Sequence, residues 1–151
     1  MRMDKLTLKA QDAVNTAQNI ATDMNHYEIQ PEHLLLALID QEGGIFGSIA
    51  QKIGASVQDT RSEVDEAVKS LPRQTGAGPG GGALSSAMRD ILNEAWNEAV
   101  ALKDDYMSTE HMILALASKG KGTARKIMNA HGFIRDNILK VLKDIRGSKR
   151  A

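Results

Sequence analysis

The sequence predicts an all-α fold built from two tandem four-helix repeats related by pseudo-twofold symmetry. Three observations predict it. An octapeptide, Pro31-Glu32-His33-Leu34-Leu35-Leu36-Ala37-Leu38, returns as Thr109-Glu110-His111-Met112-Ile113-Leu114-Ala115-Leu116, 78 positions later. Apolar residues around both copies recur at helical spacing. No segment shows the sustained alternation of a half-buried strand.

The offset carries back to the start without a gap. Leu6 falls on Leu84, Ala13 on Ile91, Ala17 on Ala95 and Met24 on Leu102. In the first copy Ala10, Ala13, Val14, Ala17, Ala21 and Met24 form one i, i+3, i+4 stripe, which predicts an amphipathic helix over 8–25 and its counterpart over 86–103. Thr7 and Ser85 stand where N-caps belong. Pro31 suits the first turn of the next helix, and Ser108 caps its equivalent. Glu32 and Glu110 follow in those first turns, where the helix dipole favours a carboxylate. These helices run over 31–41 and 109–118, until Gly43-Gly44 and Gly120-Lys121-Gly122 end them. Short helices follow over 45–53 and 123–131, stopped by Gly54 and Gly132. A one-residue deletion in the second copy then aligns Val64 with Val141 and Val68 with Ile145, in helices over 57–70 and 134–146.

The whole chain, 1–151, is read as one domain, with repeat one at 1–71 and repeat two at 84–147. Between them lies a Gly- and Pro-rich linker, 72–83, flexible by composition, and a polar, fraying tail follows at 148–151. Two similar units joined this way are expected to dock across a seam.

Composition excludes several functions. With 151 residues the chain is long enough for a real core, and it has no cysteine for a thiol nucleophile, zinc ribbon or disulfide. Lys plus Arg and Asp plus Glu number 19 each, which speaks against nucleic-acid binding, and 3% aromatic residues offer no stacking platform. No apolar run reaches a membrane span, and the N-terminus has no signal-peptide core, so a cytoplasmic protein is expected.

Catalytic and metal motifs fail on inspection. The linker glycines lack the Lys-Ser/Thr and the preceding strand of a phosphate loop. Glu32-His33 and Glu110-His111 give one histidine per helix where a zincin needs two a turn apart, so capping or packing is expected of them and no metal site. His26 and His131 read as isolated surface or loop residues. Asp104-Asp105 reads as a solvated turn, so no catalytic residue is assigned. Trp96, opposite Gln18 of the first copy, reads as core or rim packing, or as an anchor for a partner.

The Leu6-Thr7 start, the Pro31-Glu32-His33-Leu34 helix, Gln41-Glu42-Gly43-Gly44 and Leu71-Pro72 before the glycine-rich spacer resemble the double Clp repeat at the N-terminus of Clp ATPases. They resemble the ClpB-type disaggregases more than the ClpA or ClpC partners of proteases. The resemblance implies a domain that recruits unfolded or aggregated polypeptides to a hexameric AAA+ ring. It further implies that the ATP and magnesium sites lie in ring modules outside this chain, and that the domain needs no cofactor of its own. It also implies cooperation with a DnaK-type chaperone system. Carried over by position, the substrate-binding patch comprises Thr7, Asp104 and Glu110, beside an apolar groove; Trp96 is added here as a candidate anchor. Glu94, Glu98 and His111 are polar where the groove calls for apolar residues. The alternative is an adaptor-docking domain of a ClpA- or ClpC-type, protease-associated unfoldase.

Overall fold

A computed structural model describes residues 3–74 and 82–149. Among the described residues, eight α-helices follow a 3₁₀ turn at Met3–Lys5: α1 (Leu8–Asp23), α2 (Pro31–Asp40), α3 (Phe46–Ile53), α4 (Val57–Lys69), α5 (Ser86–Ala101), α6 (Thr109–Ser118), α7 (Thr123–Ala130) and α8 (Arg135–Lys149). The expected helices are all present, with ends shifted by up to three residues. The last one differs most: it runs through Gly147 to Lys149, into the segment expected to fray.

The local reasons are those the sequence offers. Thr7 Oγ1 accepts from the Ala10 amide, and Ser85 Oγ accepts from the Met88 amide. Gly54 and Gly132 leave α3 and α7 in the left-handed region, at φ of 79° and 90°. Asn25 and Lys103, equivalent under the 78-residue offset, both take φ of 61° just past α1 and α5. For lysine that conformation carries a steric cost, so tertiary structure is imposing the turn there.

Two features lay beyond the sequence pattern. Glu28–Ile29 (β1) and Ala83–Leu84 (β2) form a short parallel pair. Both ends of the linker are therefore tied down: β2 closes one end, and at the other the Gln74 amide donates to the Asn25 carbonyl at 2.7 Å. The flexible glycine-rich stretch expected between them lies at 75–81, outside the described residues.

The repeats also interlock instead of abutting across a seam. Within each repeat the first helix packs on the second, as α1 on α2 and α5 on α6. The third helices reach across: α3 packs on α8, and α7 packs on α4. Phe46 of α3 stacks on Phe133 with ring centroids 4.6 Å apart. A single buried cluster consequently runs from Leu6 to Leu142 through both repeats.

Candidate functional site

The duplicated histidines set the geometry of both α2 and α6. His33 Nδ1 accepts from the Gln30 amide, and His111 Nδ1 accepts from the Ser108 amide, each at 2.8 Å. Each ring thus satisfies an amide at the start of its own helix. The capping role expected of them is what the structure shows. With Nδ1 accepting, the proton sits on Nε2 in both rings. His111 Nε2 donates to Asp104 at 2.7 Å, and His33 Nε2 meets His26 Nδ1 at 2.7 Å. Asp104 and His26 are themselves equivalent positions, so one architecture holds a carboxylate in one copy and an imidazole in the other.

This corrects the surface reading of His26, which is 2% exposed. His131 is also engaged: it pairs with Glu63 of α4, tying the end of α7 to the other repeat. Asp104 is no free turn residue either. Arg146, from α8, donates to Asp104 at 2.7 Å and also to Glu110. Ligand-type atoms of Asp104, Glu110 and His111 lie within 4.8 Å of one another. The guanidinium occupies the carboxylate faces that a cation would need. Burial pushes the Asp104 carboxyl up, but hydrogen bonds from Arg146 and His111 outweigh it and hold it below its ordinary value.

Two grooves open where the repeats meet. The first, about 270 Å³, lies between Gln30-Pro31-Glu32 of α2 and a wall of Ala87, Asp90, Ile91, Leu116 and residues 119–125. The second, about 520 Å³, lies between Ser108-Thr109-Glu110 of α6 and Lys9, Gly43-Gly44-Ile45, Ser48, Lys52 and Ile145. They are mates under the internal symmetry. Gln30-Pro31-Glu32 corresponds to Ser108-Thr109-Glu110, Ala87 to Lys9, and Lys121-Gly122-Thr123 to Gly43-Gly44-Ile45. Each groove is built from both repeats.

The candidates are placed unequally. Glu110 lines the second groove, and Asp104 joins it through Arg146. Thr7 adjoins by main-chain pairing: its amide donates to Met107 at 2.9 Å, next to Ser108. Trp96 stays apart, half-buried against the core and lining neither groove. Glu94, Glu98 and His111 line neither groove as well. Glu98 is buried and held by Arg135 through two 2.7 Å hydrogen bonds, so its charge serves the fold.

Glu32 was not singled out as a site residue, although its alignment with Glu110 was the available signal. Its carboxyl makes no ion pair among the described residues, and burial pushes its pKa up, only partly offset by its own backbone amide. The position equivalent to Arg146 in repeat one is Lys69, which pairs instead with Asp65 at 2.9 Å.

Comparison with known proteins agrees with this architecture. The Clp repeat (R) N-terminal domain family matches residues 5–131. The chain belongs to that family. Among curated Clp relatives it is 34% identical over 152 residues to the chaperone protein ClpB of Bacillus cereus, covering 99% of this chain and 17% of the relative. It is 32% identical over 150 residues to ClpB of Vibrio cholerae, again with 99% and 17% coverage. The chain thus spans about a sixth of those chaperones. Among solved Clp domains, the Hsp104 N-terminal domain from Candida albicans superposes with a TM-score of 0.82 at 22% identity, covering 95% of this chain and 93% of that one. A ClpV N-domain in complex with a VipB peptide superposes at 0.70 and 21% identity, covering 91% and 89%. These structures share the fold of this chain. Among the described residues no helix is long and apolar enough to cross a membrane.

Proposed function

We propose that this Clp repeat domain captures unfolded or aggregated polypeptide for a ClpB-type disaggregase, and that segments of that polypeptide dock in the two grooves between the repeats. The pairing of the grooves carries the reading. The second has an aliphatic patch, Ile45 with Ile145, and the first a smaller apolar wall at Ala87; each sits beside a first-turn glutamate and lysines. A small apolar patch with a polar rim suits weak, sequence-tolerant capture of extended chain. The ClpV N-domain of similar fold is known with a bound peptide, which supports a peptide as the ligand class.

In this reading the domain contributes no chemistry. ATP and magnesium are handled by AAA+ ring modules elsewhere in the full protein, a hexamer working with a DnaK-type system in the cytoplasm. The patch formed by Thr7, Asp104 and Glu110 is one rim of the second groove, while Trp96 packs the domain.

Fluorescence anisotropy with a labelled, permanently unfolded polypeptide tests the proposal. Ala87 and Ser48 are exposed on the walls of the first and second groove. Filling both, with Ala87→Trp and Ser48→Trp, is expected to weaken binding about tenfold or more. Unchanged affinity in the folded double variant would rule the grooves out.

A further inference from the structure

The hydrogen bonds around His26 and His33 leave no place for an additional proton. The Gln30 amide occupies His33 Nδ1, so His33 Nε2–H must donate to His26 Nδ1. His26 then carries its own proton on Nε2, and that atom is buried with no hydrogen-bond partner among the described residues. Both rings are thereby held neutral. Protonating His33 at Nδ1 expels the Gln30 amide and uncaps α2. Protonating His26 at Nδ1 sets donor against donor across 2.7 Å. Either event breaks the pair.

The same residues hold the segment leading out of repeat one. His26 pairs antiparallel with Arg73, the Gln74 amide donates to Asn25, and Asn25 Nδ2 donates back to Gln74 at 3.2 Å. A cavity of about 110 Å³ lies beneath, lined by His26, Tyr27, Glu28, Gln30, Leu71 and Pro72. Arg73, from the segment after α4, bears on His26 and adds positive charge where a proton would arrive; Tyr27 and Glu28 line the same cavity, and among the described residues Glu28 makes no hydrogen bond to either ring.

We infer that the His26–His33 pair is a proton-operated latch: proton uptake uncaps α2 and releases residues 71–74 from the turn after α1. Repeat two lacks the second imidazole of this pair: Asp104 replaces His26 and offers His111 a carboxylate. Gln30 and Glu32 also line the first groove, so the latch sets one wall of it; that consequence alone rests on the proposed function. Burial, and then His26, push His33 from 6.5 down to about 4. The closed state therefore binds fewer protons than the open one between those values. The latch is fully effective above 6.5 and weakens as pH falls towards 4.

Amide-exchange protection factors, measured by NMR on the intact chain and normalised for intrinsic rates, test this. One proton taken up per opening at the ordinary value of 6.5 lowers protection at Gln30 and Gln74 about thirtyfold between about pH 7.5 and about pH 5. The Met88 amide, capped in repeat two by the Ser85 hydroxyl, should change about twofold at most. Replacing both imidazoles by non-titrating side chains, His26→Gln with His33→Gln, should abolish the loss at Gln30 and Gln74. Should that variant fail to fold, His33→Gln alone should flatten the response at Gln30. Protection at Gln30 and Gln74 that is constant with pH in wild type, falls only in step with Met88, or falls equally in a folded variant overturns the latch. This readout involves no ligand, so it stands or falls separately from binding in the grooves.

Discussion

Phe46 stacks on Phe133 across the boundary between the repeats, with ring centroids 4.6 Å apart and planes inclined by 21°. Both rings are fully buried, and one comes from each copy. The duplication has therefore produced two interdependent halves. Phe46→Ala is expected to cost about 3–5 kcal/mol, and Phe133→Ala a similar amount. In a double-mutant cycle the pair should show coupling of about 0.5–1.5 kcal/mol. Urea unfolding followed by Trp96 fluorescence, which reports repeat two, and by circular dichroism, which reports both repeats, should give coincident transitions for wild type and for Phe46→Ala. Two separated transitions would contradict the interlocked core.

Glu98 lies in the core at 4% side-chain exposure and depends on the Arg135 guanidinium. Removing only the cation strands a buried carboxylate, whereas replacing the acid leaves an arginine that can reach water. Arg135→Ala is expected to cost about 2–3 kcal/mol, and Glu98→Gln clearly less. Chemical denaturation at neutral pH measures both, and an equal or reversed ranking would show that Glu98 is not held as described.

Arg146 joins Asp104 and Glu110, and its effect should depend on pH. Because the Asp104 carboxyl is held below its ordinary 3.8, its contribution is present above that value and is lost as pH falls through the folded-state pKa. Arg146→Ala should cost about 1–2 kcal/mol at neutral pH, and the gap from wild type should narrow below about pH 4. Carboxyl-carbon NMR titration should show Asp104 protonating at a higher pH in the variant. No movement of that titration would mean that Arg146 does not set it.

Much of the fold was legible because its determinants are local. Helical period, Thr7 and Ser85 as caps, Gly54 and Gly132 as stops, and the capping histidines all act within a few residues of themselves. The juxtapositions that make the site were less legible. Arg146 lies 42 positions from Asp104 and 36 from Glu110, and Glu63 lies 68 from His131. Helical period says which face of a helix is buried but not which distant helix covers it. The burial of His26 was missed for that reason: nothing near it in sequence marks it as the partner of His33, except that the equivalent of Asp104 would stand there. The packing of α3 on α8 and of α7 on α4, across the repeats, has no sequence signal either. The grooves were half visible: the family resemblance placed Glu110 in a patch, and the internal alignment pairs Glu110 with Glu32.

Docking of polypeptide where the repeats meet can be followed on the isotopically labelled domain, by titration with a permanently unfolded protein and observation of backbone amide shifts. Progressive shifts are expected at Gln30 and Glu32, at Ala87 and Ile91, and at Lys9, residues 43–45 and 108–110, with the surface around Asn93 and Asn97 unmoved. Shifts confined to that outer face of α5, or an unchanged spectrum at saturating polypeptide, would contradict it.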